Sequence, residues 1–168
     1  MVERSDMNRR THTKGERKPQ CETHYLSPKR SIILCMRCSH CGVCCEETEM
    51  MLSNADIERL ERLGYNRQKF VHYDRHGFAR LRNCFGFCVF YDVAKKRCRI
   101  YRHRPLGCRI YPVIYSEQEG IVVDDLCPMQ NTVSETQLKR EGKKLMELLQ
   151  RIDSEAHTCV VENICREK

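Results

Sequence analysis

The sequence predicts a small, irregular α+β domain, cysteine-rich and organised by metal, with a few helices and short antiparallel strands. Three observations predict it. The chain has 13 Cys and no Trp in 168 residues. Its mean hydropathy is polar, −0.63. Helical spacing of apolar residues recurs in two segments, and the stretch between them carries short alternating runs. A chain of this length buries roughly two-thirds of its unfolded surface, yet a polar, Trp-free composition leaves only a modest apolar core. One structural zinc contributes roughly 10–16 kcal/mol in small metal domains, comparable with the stability of an ordinary domain. Metal is therefore expected to be part of the fold.

Taken in order, residues 1–20 hold Arg4, Arg9, Arg10, Lys14, Arg17 and Lys18 against three acids, with almost no large apolar groups. This composition reads as a disordered basic arm, a solvated tail in preference to a lure for nucleic acid. Residues 21–155 read as a single cysteine-cluster metal-binding domain, and 156–168 as a C-terminal tail holding Cys159 and Cys165. Ser53 with Asp56 resembles a capping box, Ile57, Leu60 and Leu63 recur at helical spacing, and Gly64 supplies a stop, which predicts a short helix. Phe78 to Arg82 alternates as a strand. Ile110 to Tyr115 and Gly120 to Val123 flank a Ser116-Glu117-Gln118-Glu119 turn and read as a hairpin. A second helix is expected from Ser134 to Ile152. Ser134 and Gln137 stand at capping-box spacing, and Leu138, Leu145, Leu148, Leu149 and Ile152 form its inner face. No internal repeat is visible.

The densest chemistry lies in Cys38-Ser39-His40-Cys41-Gly42-Val43-Cys44-Cys45, four thiols within eight residues. Thiolates repel one another, so such a group is stable only around a cation or an iron–sulfur core, or when oxidised in pairs. The two-residue gaps let a loop wrap one centre. Vicinal Cys44 and Cys45 diverge, which suggests that one of them reaches a second metal. Downstream come Cys88-Val89-Phe90-Tyr91, then Cys98-Arg99-Ile100-Tyr101-Arg102-His103-Arg104-Pro105-Leu106-Gly107-Cys108-Arg109-Ile110-Tyr111-Pro112, and finally Cys127-Pro128.

This layout, over roughly residues 35 to 130, resembles the CxxCxxCC cysteine-cluster family, described as a zinc- or iron-chelating domain and including proteins like the flagellin lysine N-methylases. The resemblance implies Cys38, Cys41, Cys44, Cys45, Cys88, Cys98, Cys108 and Cys127 as metal ligands. Cys21, Cys35, Cys84, Cys159 and Cys165 are additional to the family pattern, and Cys84, four residues before Cys88, makes the ligand set ambiguous. Two tetrahedral centres, or a cubane plus one zinc, would use all eight matching thiols. A single [4Fe–4S] cluster would use four. The C-x2-C-x2-C start and the vicinal pair favour an iron–sulfur cluster, [4Fe–4S], over zinc.

From Lys95 to Arg109 there are seven Lys or Arg and no acid. Lys95, Lys96 and Arg97 read as a solvated face. Arg104 and Arg109 match the family motif, and their expected role is to offset the negative charge of a thiolate-bound cluster and raise its reduction potential. Two other readings stand beside it: binding an anionic substrate or cofactor group, and a nucleic-acid patch with Tyr101 and Tyr111 stacking. His40 and His103 lie inside the boxes and could ligate, but with eight matching thiols they read as supporting donors beside the ligands or as solvent-exposed. His72 and His76 have a zinc-finger gap but lie far from any CxxC pair, and Cys21 and His24 lack a partner at ligand spacing.

Two functions are compatible with these residues. The first is a metal-binding redox, metal-handling or structural module without substrate chemistry. The second, implied by the resemblance, is protein-lysine N-methylation from S-adenosylmethionine, for which the chain offers no GxG glycine loop. A membrane span and a secretory signal are not expected, because no run of eighteen apolar residues and no apolar leader segment occurs. With an odd number of thiols, 13 in all, and disulfides rare in reducing compartments, the expected location is the cytoplasm.

Overall fold

A computed structural model of the chain describes residues 38–162. The basic arm, Cys21, His24, Cys35 and Cys165 lie outside them. The architecture is mixed α+β. Helices α1 (Asn54–Arg62) and α2 (Arg67–Phe70) are followed by strands β1 (Val71–Tyr73), β2 (Ala79–Leu81), β3 (Asn83–Cys84), β4 (Phe87–Cys88), β5 (Tyr91–Asp92) and β6 (Arg97–Cys98). Helix α3 (Leu106–Ile110), strands β7 (Val113–Ser116) and β8 (Gly120–Val123), and the long helix α4 (Glu135–Val161) complete the chain. The strands pair only as four antiparallel two-stranded hairpins, β1–β2, β3–β4, β5–β6 and β7–β8. Isolated hairpins of this length are marginal in water, so each depends on what it packs against.

Helix α1 forms where its cap is expected: the Ser53 hydroxyl accepts from the Asp56 amide, and Ile57 and Leu60 are fully buried. Gly64 then takes a φ of +91°, a left-handed conformation suited to glycine, and the helix ends. Helix α4 begins with the expected reciprocal box between Ser134 and Gln137. It runs on to Val161, beyond Ile152. Leu145, Leu148 and Ile152 bury against Ile110 and Val113 in one apolar core, and α4 packs over α3 and the β7–β8 hairpin. The strand expected over Phe78 to Arg82 is β2, paired with β1.

One expectation is corrected. Ile110 belongs to α3 and not to the following strand. The Arg109 amide donates to Pro105 and the Tyr111 amide to Gly107, closing the helical turn. Pro112 has no amide hydrogen to give a ladder, so pairing starts at Val113.

The second core joins Leu52, Ile57, Leu60, Phe70, Leu81, Phe90 and their neighbours beneath the β3–β4 and β5–β6 hairpins. Residues 46–52 run along β2 and the β3–β4 hairpin as an extra edge. The Glu47 amide donates to Gly86 at 2.6 Å, Leu52 to Ala79 at 2.8 Å, and Leu81 to Met50 at 2.9 Å. The first cysteine box is thereby fixed against the segments carrying the later cysteines.

Candidate metal centre

All eight thiols of the family pattern are free, and all eight line one cavity with about 60 Å³ of free space. They arrive from separate elements. Cys44 and Cys45 sit in a 3₁₀ turn, Val43–Cys45, closed by the Cys45 amide donating to Gly42 at 2.8 Å. Cys88 ends β4, Cys98 ends β6, and Cys108 lies mid-way along α3. Cys127 follows the turn where its amide donates to the Asp124 carbonyl. The Tyr111 hydroxyl hydrogen-bonds the Asp124 side chain, tying this turn to the end of α3.

Backbone amides are aimed at sulfur in a repeating way. The His40 amide donates to Cys38 Sγ at 3.3 Å, and Cys88, Cys98 and Cys127 accept backbone hydrogen bonds from Phe90, Ile100 and Met129. In each case the donor is two residues beyond the thiol. An N–H pointed at sulfur stabilises its anionic form, the form that binds metal. Sequence inspection misses these donors because an amide carries no side-chain signature.

Burial works against that ionisation. It pushes Cys88 up to about 12, and raises Cys98, Cys108 and Cys127 as well. Cys44 differs: a hydrogen bond from the Cys45 thiol, opposed by burial and helped by the Arg104 guanidinium, brings it down to about 7. The same hydrogen bond, together with burial, raises Cys45. One thiol of the vicinal pair is thus poised to ionise first.

The two arginines of the motif both line the cavity but are held differently. Arg104 is extended, with ψ 146°, as expected of a residue before proline. It is buried, its Nε donates to the Tyr101 carbonyl at 3.0 Å, and its guanidinium lies 4.0 Å from the centre of the Tyr101 ring. The Arg109 Nε is buried without a hydrogen-bond partner among the described residues. A buried, unpaired guanidinium nitrogen is costly and marks a place for an acceptor.

His40 stacks on Tyr101 with ring centres 4.5 Å apart and remains exposed. His72 and His76 are not on the cavity. Cys84 and Cys159 are each disulfide-bonded, which departs from the expectation of a wholly reduced chain and removes Cys84 as a competing ligand. As placed, no three of the described His, Cys, Asp or Glu side chains close around a single ion. Among the described residues no helix is long and apolar enough to cross a membrane.

Comparison with known proteins bears on the same residues. An uncharacterised protein of Methanocaldococcus jannaschii is 30% identical over 86 residues, covering 49% of this chain and 47% of the relative. The chain thus spans about half the length of the curated relative it matches. No solved structure matches it. The CxxCxxCC family, described as "Putative zinc- or iron-chelating domain", matches residues 37–128. That match takes in every thiol on the cavity and more than half of the 168 residues, and the chain belongs to this family.

Proposed function

We propose that this chain is a metal-binding module that holds an iron–sulfur cluster, of the [4Fe–4S] type, on its cavity thiols, and that it has no substrate chemistry of its own. The observation that carries the reading is the convergence of eight free thiols, drawn from five separate stretches of chain, on one small cavity. The donor set is soft and anionic when ionised, which suits iron and zinc. Four backbone N–H groups directed at sulfur and the unpaired Arg109 Nε are what a negatively charged thiolate centre requires around it. The C-x2-C-x2-C start and the vicinal Cys44–Cys45 pair favour a cluster over one bare zinc.

Bound there, an iron–sulfur cluster supplies one-electron redox chemistry. This chain's own contribution is to present ionised sulfur, to place positive charge from Arg104 and Arg109 beside it, and to exclude bulk water through the surrounding apolar core. The methylase alternative draws no support from the site.

Anaerobic isolation from iron-replete cells, followed by iron, zinc and acid-labile sulfide analysis and visible and EPR spectra, tests the reading. Brown protein with iron and sulfide in matching amounts is expected. Colourless protein with stoichiometric zinc and no sulfide would overturn the iron assignment, and metal-free protein the whole reading.

A further inference from the structure

One wall of the cysteine cavity carries five cations on its outer side. Lys95, Lys96, Arg97, Arg99 and Arg102 are all exposed, and no acid occurs between Lys95 and Arg109. The same stretch turns other side chains inward: Cys98, Ile100, Tyr101 and Arg104 line the cavity, and Arg97, though exposed, lines it as well. Lys95 has an acidic neighbour, Asp92, at 3.8 Å. The other four form no ion pair among the described residues. Like charges held together repel one another, so a surface that keeps five of them side by side favours an anionic partner.

The exposed thiol lies against this wall. Cys41 is the one exposed thiol among the eight, and its neighbours on both sides touch the wall. The His40 ring packs on Tyr101 with centres 4.5 Å apart, and the Gly42 backbone runs so close to Tyr91 that an added Cβ would meet its hydroxyl. Tyr91 pairs with Cys98 across the β5–β6 hairpin, and Asp92 with Arg97. The thiol open to solvent thus stands beside the cations. Acids on the other cavity loops, Glu46 acting on Tyr91 and Asp124 acting on Cys44, confine the positive surface to this wall. Single-stranded nucleic acid is the other polyanion such a surface could meet, but it uses free aromatic faces beside the cations. Here Tyr101 is engaged by His40 and the Arg104 guanidinium, while Tyr111 faces the cavity.

We infer that this wall is a docking surface for an acidic one-electron carrier protein, which exchanges an electron with the centre held on the cavity thiols by way of the Cys41 edge. The inference rests on the iron–sulfur reading above and deepens it by naming the partner. One electron passes from the reduced carrier to the oxidised cluster. The carrier is left oxidised, the cluster reduced, and no bond is made or broken. Electron-transfer encounters bury little surface and are steered by opposite charge, so a cationic wall beside an exposed edge is sufficient without a deep groove.

The test uses the full chain isolated anaerobically with its cluster, and a plant-type [2Fe–2S] ferredoxin, an acidic carrier, as the probe. Binding of the oxidised ferredoxin is measured by calorimetry, and transfer from the reduced ferredoxin by stopped-flow absorbance, each at low and high salt. Both should weaken as salt rises. Lys96→Glu combined with Arg102→Glu should weaken binding and slow transfer about tenfold at low salt, with metal content unchanged. Lys139→Glu combined with Lys143→Glu makes the same change in net charge at exposed positions of α4 away from the cavity, and should have little effect. Equal losses in the two double variants, or no loss in the first, overturn the inference, and so does a basic carrier, cytochrome c, binding as tightly as ferredoxin. Binding of a mixed-sequence oligoribonucleotide that the first double variant abolishes, with no binding of ferredoxin, overturns it in favour of an RNA surface. A reducible cluster in a protein that binds no ferredoxin brings down this inference alone. Protein with no reducible centre brings down the iron–sulfur reading, and the electron step with it, even where ferredoxin binds to the wall.

Discussion

The backbone of Gly42 passes directly beneath the Tyr91 hydroxyl, so closely that a Cβ at position 42 would stand 2.3 Å from that oxygen. Gly42 also has a φ of +89°, a conformation that costs a side-chain-bearing residue. Tyr91 stacks on Phe87 and pairs across its hairpin with Cys98, so this contact joins the first cysteine box to the second. Gly42→Ala should lose roughly 1–3 kcal/mol to backbone strain alone, and displacement of Tyr91 adds to it. The expected outcome is a lower unfolding midpoint together with reduced metal content; unchanged metal content would show that the box does not depend on this contact.

Asp56 links α1 to the segment that presents Arg104 and Cys108. Its buried carboxylate accepts from Arg59 at 2.7 Å, from the Ser53 hydroxyl at 3.0 Å and from the Leu106 amide at 3.1 Å, while Arg59 also donates to the Arg104 carbonyl at 3.0 Å. Asp56→Ala should cost about 3 kcal/mol, the lower end for breaking a buried pair, because Arg59 keeps access to water. Asp56→Asn, which keeps much of the hydrogen bonding, should cost less. Denaturant unfolding of both variants checks the order.

Arg104 and Arg109 should separate on two readouts. Arg104 is engaged by the Tyr101 ring and carbonyl, whereas the Arg109 Nε has no hydrogen-bond partner among the described residues. Arg104→Gln should therefore lower stability by about 1–2 kcal/mol, and Arg109→Gln by less. Both should lower the reduction potential of the bound cluster, since less positive charge then stabilises the added electron. Potentiometric titration of both variants beside their unfolding curves checks this. Unmoved potentials in both would contradict the charge-balancing role.

Glu141 gives a pH dependence that does not involve the thiols. Burial alone would raise its carboxyl, but hydrogen bonds from Lys144 and Arg140 outweigh that and leave it below the ordinary glutamate range. A depressed folded value means the stabilisation is full above the unfolded pKa of about 4.3 and is lost as pH falls through the folded value. Glu141→Gln should be less stable than the unaltered chain near neutrality, and the gap should close in acid. Thermal unfolding across that range is the check.

The parts of this fold visible in the sequence are those written in side-chain periodicity and caps. Ser53 and Ser134 cap where they stand, and Ile57, Leu60, Leu145, Leu148 and Ile152 bury as their spacing requires. The cysteine hairpins were not visible. Phe85 and Gly86 both take positive φ, 53° and 81°, in the β3–β4 turn, and Lys96 takes 47° near the tip of β5–β6. Phe and Lys give no turn signal, because these conformations usually select Asn, Asp or Gly. Cavity membership could be anticipated for the eight thiols from their boxes, but the amides aimed at Cys38, Cys88, Cys98 and Cys127 could not. That is a property of the packed chain and not of spacing.

X-ray absorption at the edge of the metal bound to anaerobically isolated protein tests the central claim most directly, because it reports what atoms surround the metal. The account predicts a first shell of sulfur alone, with short metal–metal scattering from a cluster. A shell containing nitrogen or oxygen from histidine, carboxylate or water in place of thiolate sulfur would contradict it.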